Sequence, residues 1–266
     1  MKKKKIGFIG CGNMGGAILK GLLQNGFSNE QIYVHTATRT STIKQKYGIQ
    51  ACDSNIKVVE QVDWLILAVK PYMIAKVLEE VKGSLKDGQI VISIAAGVSL
   101  LDLGKLTCEN QKIMCAMPNV PVQVGMGMTA LCHNENCTLE EVEMVADLFR
   151  CVGKCEVVSQ ELLDTSICVS GSSPAYVFMM ISAMMDGAIR EGMNVKQAKI
   201  FAAQAVMGSA KMVLESEKHP EQLKTEVCSP SGTTIEAVSA LEEHGFRNAV
   251  LKAMKACQKR LKEMKD

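Results

Sequence analysis

The segment that most restricts the fold runs from Ile6 to Gly16: a short apolar stretch, a glycine-rich loop and the start of a helical pattern. Ile6–Ile9 reads as a buried strand. After the loop Gly10-Cys11-Gly12-Asn13-Met14-Gly15, apolar residues recur at helical spacing up to Gln24 (Ala17, Ile18, Leu22), and Gly26 marks the stop. The glycine spacing alone is weak evidence, because turns without any ligand share it. Between a strand and a helix it carries more. Gly10 permits a tight turn, Gly12 removes a side chain where backbone would meet a pyrophosphate, and Gly15 lets helix and strand pack closely. The helix N-terminus adds unpaired N–H groups and a favourable dipole. Gly10, Cys11, Gly12, Asn13, Met14 and Gly15 are therefore read as the cradle of a dinucleotide.

The remainder of the first 159 residues continues in the same style. Apolar runs at Gln31–His35, Asp63–Val69, Ile90–Ala95, Lys112–Met117, Met126–Cys132 and Cys155–Val158 predict strands. Helical patterns fall at Thr40–Tyr47, Tyr72–Lys82 and Leu139–Cys151, the last with Thr138 as N-cap. Strands alternating with helices imply an α/β fold, a mostly parallel sheet covered on both faces. From residue 160 to 266 the pattern holds no strand. Leu162–Cys168, Pro174–Glu191, Val195–Glu215, Glu221–Val227, Thr233–Glu243 and Arg247–Met264 all predict helices. The expected organisation is a Rossmann-like domain over 1–159 and an all-helical domain over 160–266. Met179, Met180, Met184 and Met185 make one helix apolar on several sides. A helical domain of this size has little core to cover such helices, which favours a homodimer through them over a purely internal core.

Composition narrows the function classes. A net charge of +2 gives no general drive toward nucleic acid or an acidic membrane. The basic run Lys2–Lys5 reads as a solvated lead-in to the first strand, and Gly7, Gly10, Gly12 and Asn13 break any signal-like apolar segment after it. No window is expected to approach the ~20 apolar residues that span a bilayer. The 11 cysteines are scattered, with no Cys-x-x-Cys pair, which fits reduced thiols in the cytoplasm. Cys132, His133 and Cys137 match no common zinc spacing, so no metal is expected.

The end of the second strand bears on which dinucleotide is bound. An acid there would hold a ribose 2′-hydroxyl. Instead the sequence reads His35-Thr36-Ala37-Thr38-Arg39-Thr40. Arg39 with the hydroxyls of Thr36, Thr38 and Thr40 suits a 2′-phosphate, so NADPH is the expected cofactor, with NADH as the alternative; the plain reading of Arg39 is a solvated helix start. Further contacts are expected from strand ends on the same sheet edge, at Ala68-Val69-Lys70-Pro71 and Ala95-Ala96-Gly97. Lys70 is a candidate catalytic residue, with a positioning role equally open.

In the helical half, Ser170-Gly171-Ser172-Ser173-Pro174-Ala175-Tyr176 and Ser229-Pro230-Ser231-Gly232-Thr233-Thr234-Ile235 are two glycine–serine loops, each ahead of a helix. The second offers helix N-terminal N–H groups and hydroxyls, as a carboxylate site would, although plain helix capping explains the same residues.

Together these blocks resemble pyrroline-5-carboxylate reductase. The resemblance spans essentially the whole chain and includes Ile9–Gly15, Ala68–Pro71, Met117-Pro118-Asn119, Ser170–Tyr176, Ser216–Pro220 and Ser229–Ile235 followed by Leu241 and Gly245-Phe246. It implies NADPH-linked reduction of the cyclic imine 1-pyrroline-5-carboxylate to L-proline. It also implies that backbone N–H groups of Ser231, Gly232, Thr233 and Thr234, beside Ser229, hold the carboxylate. The Thr234 hydroxyl would lie by the ring nitrogen, Glu217 near the substrate and Asn55 at an adenosine phosphate. The helical domains would pair as a dimer, with a higher oligomer of dimers left open. A protonated imine is a strong hydride acceptor, so catalysis of this kind needs positioning and one proton rather than a metal. The chain departs from the family pattern at Ser231 and Ser173, where glycine is usual, at Val120, where threonine is common, and at Gln160, which is neutral where some relatives carry an acid; the neighbouring Glu161 and Asp164 are left without a settled role. Either serine would be strained if its φ were positive. Two alternatives stay in view. A β-hydroxyacid-type dehydrogenase would place a lysine after the first loop, yet Pro174–Met180 has none. A cofactor-sensing binding protein would have no need of Ser229–Thr234.

Overall fold

A computed structural model describes residues 4–263. Lys2, Lys3 and Met264 lie outside the described residues. The described chain divides into two compact units, residues 4–172 with 258–263, and Ser173–Cys257.

The first unit is built on one eight-stranded sheet. Its strands are β1 (Ile6–Ile9), β2 (Ile32–His35), β3 (Gln50–Ala51), β4 (Trp64–Leu67), β5 (Ile90–Ser93), β6 (Lys112–Pro118), β7 (Gly127–His133) and β8 (Gly153–Val157). Their order is β3-β2-β1-β4-β5-β6-β7-β8. Every pairing is parallel except β6 with β7. The helices are α1 (Asn13–Gln24), α2 (Thr40–Tyr47), α3 (Asn55–Gln61), α4 (Ile74–Val81), α5 (Leu100–Leu106), α6 (Leu139–Arg150) and α7 (Gln160–Ser166).

The central strands are continuous apolar runs because both faces are covered. Side chains alternate sides along a strand. Ile6, Phe8, Trp64, Ile66, Ile90 and Ile92 enter one core together with α1 and α6. Ile9, Leu65, Leu67 and Val91 enter a second core with α3 and α4. Each such side chain, almost fully buried, contributes about 1.5–3 kcal/mol. β1 and β4 sit where the strand order reverses, the place at which doubly wound sheets bind ligands beyond their carboxyl ends.

Three short elements are absent from the sequence expectation: β3, α3 and α5. Two of them carry a readable start signal. Ser54 accepts from the Lys57 N–H at the start of α3, and Ser99 and Asp102 form a capping box on α5. Neither helix exceeds 7 residues, too few for an apolar period to stand out.

The sequence pattern changes at residue 160, but packing with the sheet continues through Ser172. Leu163 is buried in the second core. The Gln160 carboxamide oxygen accepts from the Leu100 N–H at 2.9 Å. α7 then runs into a π-helical turn, Ile167–Gly171, closed by the Ser172 N–H donating to the Ile167 carbonyl at 2.8 Å. The expected loop at Ser170–Tyr176 is thus a π turn leading straight into a helix. Asn119 is 8% exposed and pins this turn to the sheet: its Nδ2 donates to the Ser170 carbonyl at 2.9 Å while its Oδ1 accepts from the Met128 N–H at 2.8 Å.

The second unit holds α8 (Ser173–Arg190), α9 (Val195–Glu215), α10 (Pro220–Val227), α11 (Thr233–Glu243) and most of α12 (Phe246–Glu263). α8 packs on α9. No residue of α8 is buried, and Met179 stays 73% exposed, as does Phe201 of α9 at 65%. The run Gln160–Arg190 contains an 18-residue window of mean hydropathy 1.4, only 6% of it buried. This corrects the expectation that no such window exists. It arises because α7, the π turn and α8 follow one another closely and carry few charges.

Candidate active site

One candidate site lies at the carboxyl ends of β1 and β4. The Ala68 N–H donates to the Ile9 carbonyl at 2.9 Å, so the loops after these strands are neighbours. Gly10 has φ +79° and donates its N–H to the His35 carbonyl at 2.9 Å. A Cβ at Gly10 would meet the Ala68 carbonyl oxygen at 2.7 Å, and one at Gly15 would meet the Ala68 Cβ at 2.9 Å. Gly12 differs: nothing lies within 4 Å of its would-be Cβ. It is the N-cap of α1, with no side chain capping the helix and no acid in the first turn. The open face of Gly12 and the uncapped N–H groups behind it fit a pyrophosphate.

A cavity of about 520 Å³ opens at this point, and it brings Cys11, Gly12 and Asn13 together with Arg39. Burial pushes the Cys11 thiol up to about 11, with Arg39 pulling the other way, so it stays neutral at physiological pH and adds no anion beside the cradle. The Thr36 hydroxyl also serves the local backbone. It accepts from the Arg39 N–H at 2.8 Å, and the Thr40 hydroxyl donates to the Thr36 carbonyl at 2.8 Å. Thr36 shapes the turn that presents Arg39; Thr38 is exposed and is not part of the cavity wall. Lys20, Thr42, Lys46, Tyr47 and Gln123 do line it, and the sequence reading passed over them. The spacing Arg39, Thr42, Lys46 was the available signal, since residues three and four apart share a helix face.

Of the remaining candidates, Met14 is half-buried against the first core, and Val69 and Ala68 close around Gly10 and Gly15. Lys70 is exposed at the start of the turn Pro71–Met73, its carbonyl accepting from the Met73 N–H. Ala95 is buried with its N–H on the Ser93 hydroxyl, Ala96 is exposed, and Gly97 turns the chain at φ +79°. Asn55 opens α3 and donates to a Glu80 carboxylate oxygen at 2.8 Å, so any phosphate there competes with that bond.

A separate candidate site lies in the helical unit. Ser229-Pro230-Ser231-Gly232 is a turn closed by the Gly232 N–H donating to the Ser229 carbonyl at 3.1 Å. Ser231 has φ +56° and is the one non-glycine residue with positive φ among the described residues. Proline at the second turn position with positive φ at the third is the type II pattern, where glycine is the usual third residue. Gly232 is hemmed in by the Ser229 hydroxyl and carbonyl, leaving no room for a side chain. It is the N-cap of α11 and makes no side-chain cap, so the N–H groups of Thr233 and Thr234 face outward from a helix N-terminus. Thr234 is half-buried and Thr233 exposed. Glu217 is exposed in the turn ahead of α10. Ser173 is the first residue of α8 and its φ is not positive, so the strain considered for it does not arise. Val120 is exposed at the start of a 3₁₀ turn.

A family described as pyrroline-5-carboxylate reductase dimerisation matches residues 160–264, and one described as NADP oxidoreductase, coenzyme F420-dependent, matches residues 5–97. The pyrroline-5-carboxylate reductase of Escherichia coli (strain K12) is 49% identical over 265 residues, 98% of each chain. The solved pyrroline-5-carboxylate reductase of Coxiella burnetii aligns with a TM-score of 0.92 at 34% identity, covering 99% of both chains. That of Plasmodium falciparum, with NADP bound, aligns at 0.91 and 28% identity over 100% of both. Near-full-length identity at this level, with the glycine cradle ahead of α1 and the uncapped turn ahead of α11, places the chain in the pyrroline-5-carboxylate reductase family.

Proposed function

We propose that this chain carries out its family's reaction, reduction of 1-pyrroline-5-carboxylate to L-proline, with NADPH as the preferred donor and the residues described above in the following roles. The observation that carries the substrate assignment is the uncapped N-terminus of α11 behind the strained Ser231 turn. An anion suits such a terminus, and the N–H groups of Thr233 and Thr234 are donors to a carboxylate, the Gly232 N–H being held by the Ser229 carbonyl. The Ser229 and Ser231 hydroxyls flank it.

The bound cofactor supplies a hydride at C4 of the dihydronicotinamide. The protein's part is to bind, orient and protonate. Gly12 and the first N–H groups of α1 hold the pyrophosphate; Arg39 takes the 2′-phosphate; the small residues Ala68, Ala95 and Ala96 leave room for the nicotinamide. Transfer requires the imine carbon within about 3–3.5 Å of the donor carbon. The segment Ser229–Ile235 has no His, Asp, Glu or Lys. Thr234 therefore donates a hydrogen bond to the ring nitrogen and relays a proton from water, since an unaided hydroxyl is a poor acid. Lys70 acts by position and charge at the cofactor end, and Glu217 borders the substrate.

The exposed apolar faces of α8 and α9 are the surface of a homodimer, and the free thiols suit the cytoplasm. The deciding experiment follows NADPH or NADH oxidation by purified protein with 1-pyrroline-5-carboxylate. Turnover with a kcat/KM for NADPH at least about tenfold above that for NADH is expected from one charged contact. Folded protein without turnover refutes the reaction; equal efficiencies refute the cofactor preference alone.

A further inference from the structure

We propose that Lys20 and Lys46 are specificity-determining residues that, with Arg39, form a three-cation wall for the adenosine 2′-phosphate; this rests on the NADPH reading above. All three line the 520 Å³ cavity that opens at Gly12. They come from separate elements: Lys20 from α1, Arg39 from the turn after β2, Lys46 from α2.

Three observations point to an external anion. The cavity wall contains three cations and no Asp or Glu. None of the three side chains makes an ion pair among the described residues, although eleven ion pairs engage other lysines and arginines of the chain. Three like charges converging without a counter-ion repel one another, and a multivalent anion relieves this. The nearby Cys11 is held neutral by burial and does not serve as that counter-ion.

The helix geometry aims the lysines at the cradle. Lys20 lies one turn beyond Gly16 and two beyond Asn13, on the cavity face of α1. Lys46 lies one turn beyond Thr42 on α2. Side chains on a helix slant toward its N-terminus, and the N-terminus of α1 is the glycine-loop end. Lys46 Nζ also sits 5.0 Å over the Tyr47 ring, which limits its wandering. Ala17 and Ile43 supply apolar wall and Asn13, Thr42, Tyr47 and Gln123 neutral polar groups, so Lys20, Arg39 and Lys46 carry all the formal charge a ligand meets there.

A pyrophosphate would meet the same chemistry, but it is common to NADPH and NADH, so the two cofactors separate the two anions. The test measures dissociation constants of NADPH and NADH by titration, for the intact chain and for Lys20→Gln, Lys46→Gln and the double variant. Adenosine 2′,5′-bisphosphate and 5′-AMP serve as probes lacking the nicotinamide. The double variant is expected to bind NADPH and the bisphosphate at least ~10-fold more weakly, while NADH and 5′-AMP change less than about 2-fold. The log–log salt slope of NADPH binding should flatten, and Lys46→Arg should retain affinity. Equal losses for NADPH and NADH would overturn the proposal in favour of a pyrophosphate contact. No change in either, with Arg39→Ala still abolishing the preference, would overturn it while leaving the NADPH reading intact. An unmodified protein that binds both cofactors equally would refute both. Both lysines are exposed and lack ion pairs, so the melting temperature should not move and serves as the folding control.

Discussion

The two ends of the glycine loop should fail in opposite ways when a methyl group is added. Gly10→Ala forces a side chain into left-handed backbone at φ +79°, which costs about 1–2 kcal/mol. The new Cβ would also lie 2.7 Å from the Ala68 carbonyl oxygen and 2.7 Å from Val69 Cγ1. Backbone must shift to relieve the first contact, adding about 1–3 kcal/mol. The sum is about 2–5 kcal/mol, a fall in melting temperature of roughly 4–20 °C at this chain length. Gly12→Ala meets no atom within 4 Å and sits at φ −71°. It loses only the difference between Gly and Ala at an N-cap, about 0.5–1 kcal/mol. Its methyl group instead occupies the space reserved for the pyrophosphate. Losing one or two charge-assisted bonds there is worth about 2–3 kcal/mol, or roughly 30- to 150-fold in NADPH affinity. Scanning calorimetry and a fluorescence titration separate the two quantities. Equal destabilisation by both variants would refute the idea that Gly12 is open for a ligand; so would NADPH binding by Gly12→Ala at the unmodified affinity.

The other variants probe the substrate half and the loop cysteine. Ser231→Gly removes left-handed strain of about 1–2 kcal/mol but adds unfolded-state freedom of about 0.5–1 kcal/mol, so calorimetry should show a net gain of at most about 1.5 kcal/mol; a loss would mean that the serine hydroxyl holds the turn. Ser173→Gly, within helix α8, should lose about 0.5 kcal/mol instead, read by the same calorimetry. Thr234→Ala should lower kcat about 10- to 100-fold while leaving the NADPH dissociation constant unchanged, as expected for loss of the hydrogen bond at the ring nitrogen; a matching loss of cofactor affinity would move that residue out of the substrate site. Because burial raises the Cys11 pKa to about 11, its neutral form prevails through pH 9. NADPH binding should show no Cys11-linked titration between pH 7 and pH 9, checked by comparing the unmodified chain with Cys11→Ala across that range.

Most of the fold was legible because the strong signals are long. α2, α9 and α11 run over the residues their patterns indicate, and the period-two split of Ile6 and Phe8 from Ile9 explains why the strands read as unbroken apolar runs. What escaped was short or set by packing. β3 is two residues long, α3 and α5 seven each, and the change of unit at Ser173 depends on Leu163 and Asn119 reaching back to the sheet, which no local pattern encodes. In the glycine loop, Gly10 and Gly15 answer local steric demands, whereas Gly12 faces open space. The turn-shaping bond of Thr36 was not legible, because a hydroxyl able to reach a phosphate is equally able to reach its own backbone.

The two departures from the family's glycines show how far such local reasoning extends. A serine replacing glycine has no fixed meaning until φ is known. At position 173 the backbone is helical and serine is an ordinary first-turn residue. At position 231 the proline before it commits the turn to the type II shape, and the only escape from positive φ would open the turn and withdraw the Gly232 N–H from the Ser229 carbonyl. That bond sets where the N-terminus of α11 begins. The strain at Ser231 is therefore held by the same turn that aims the carboxylate donors, and a substitution there should change substrate affinity and stability together, whereas one at Ser173 should change stability alone.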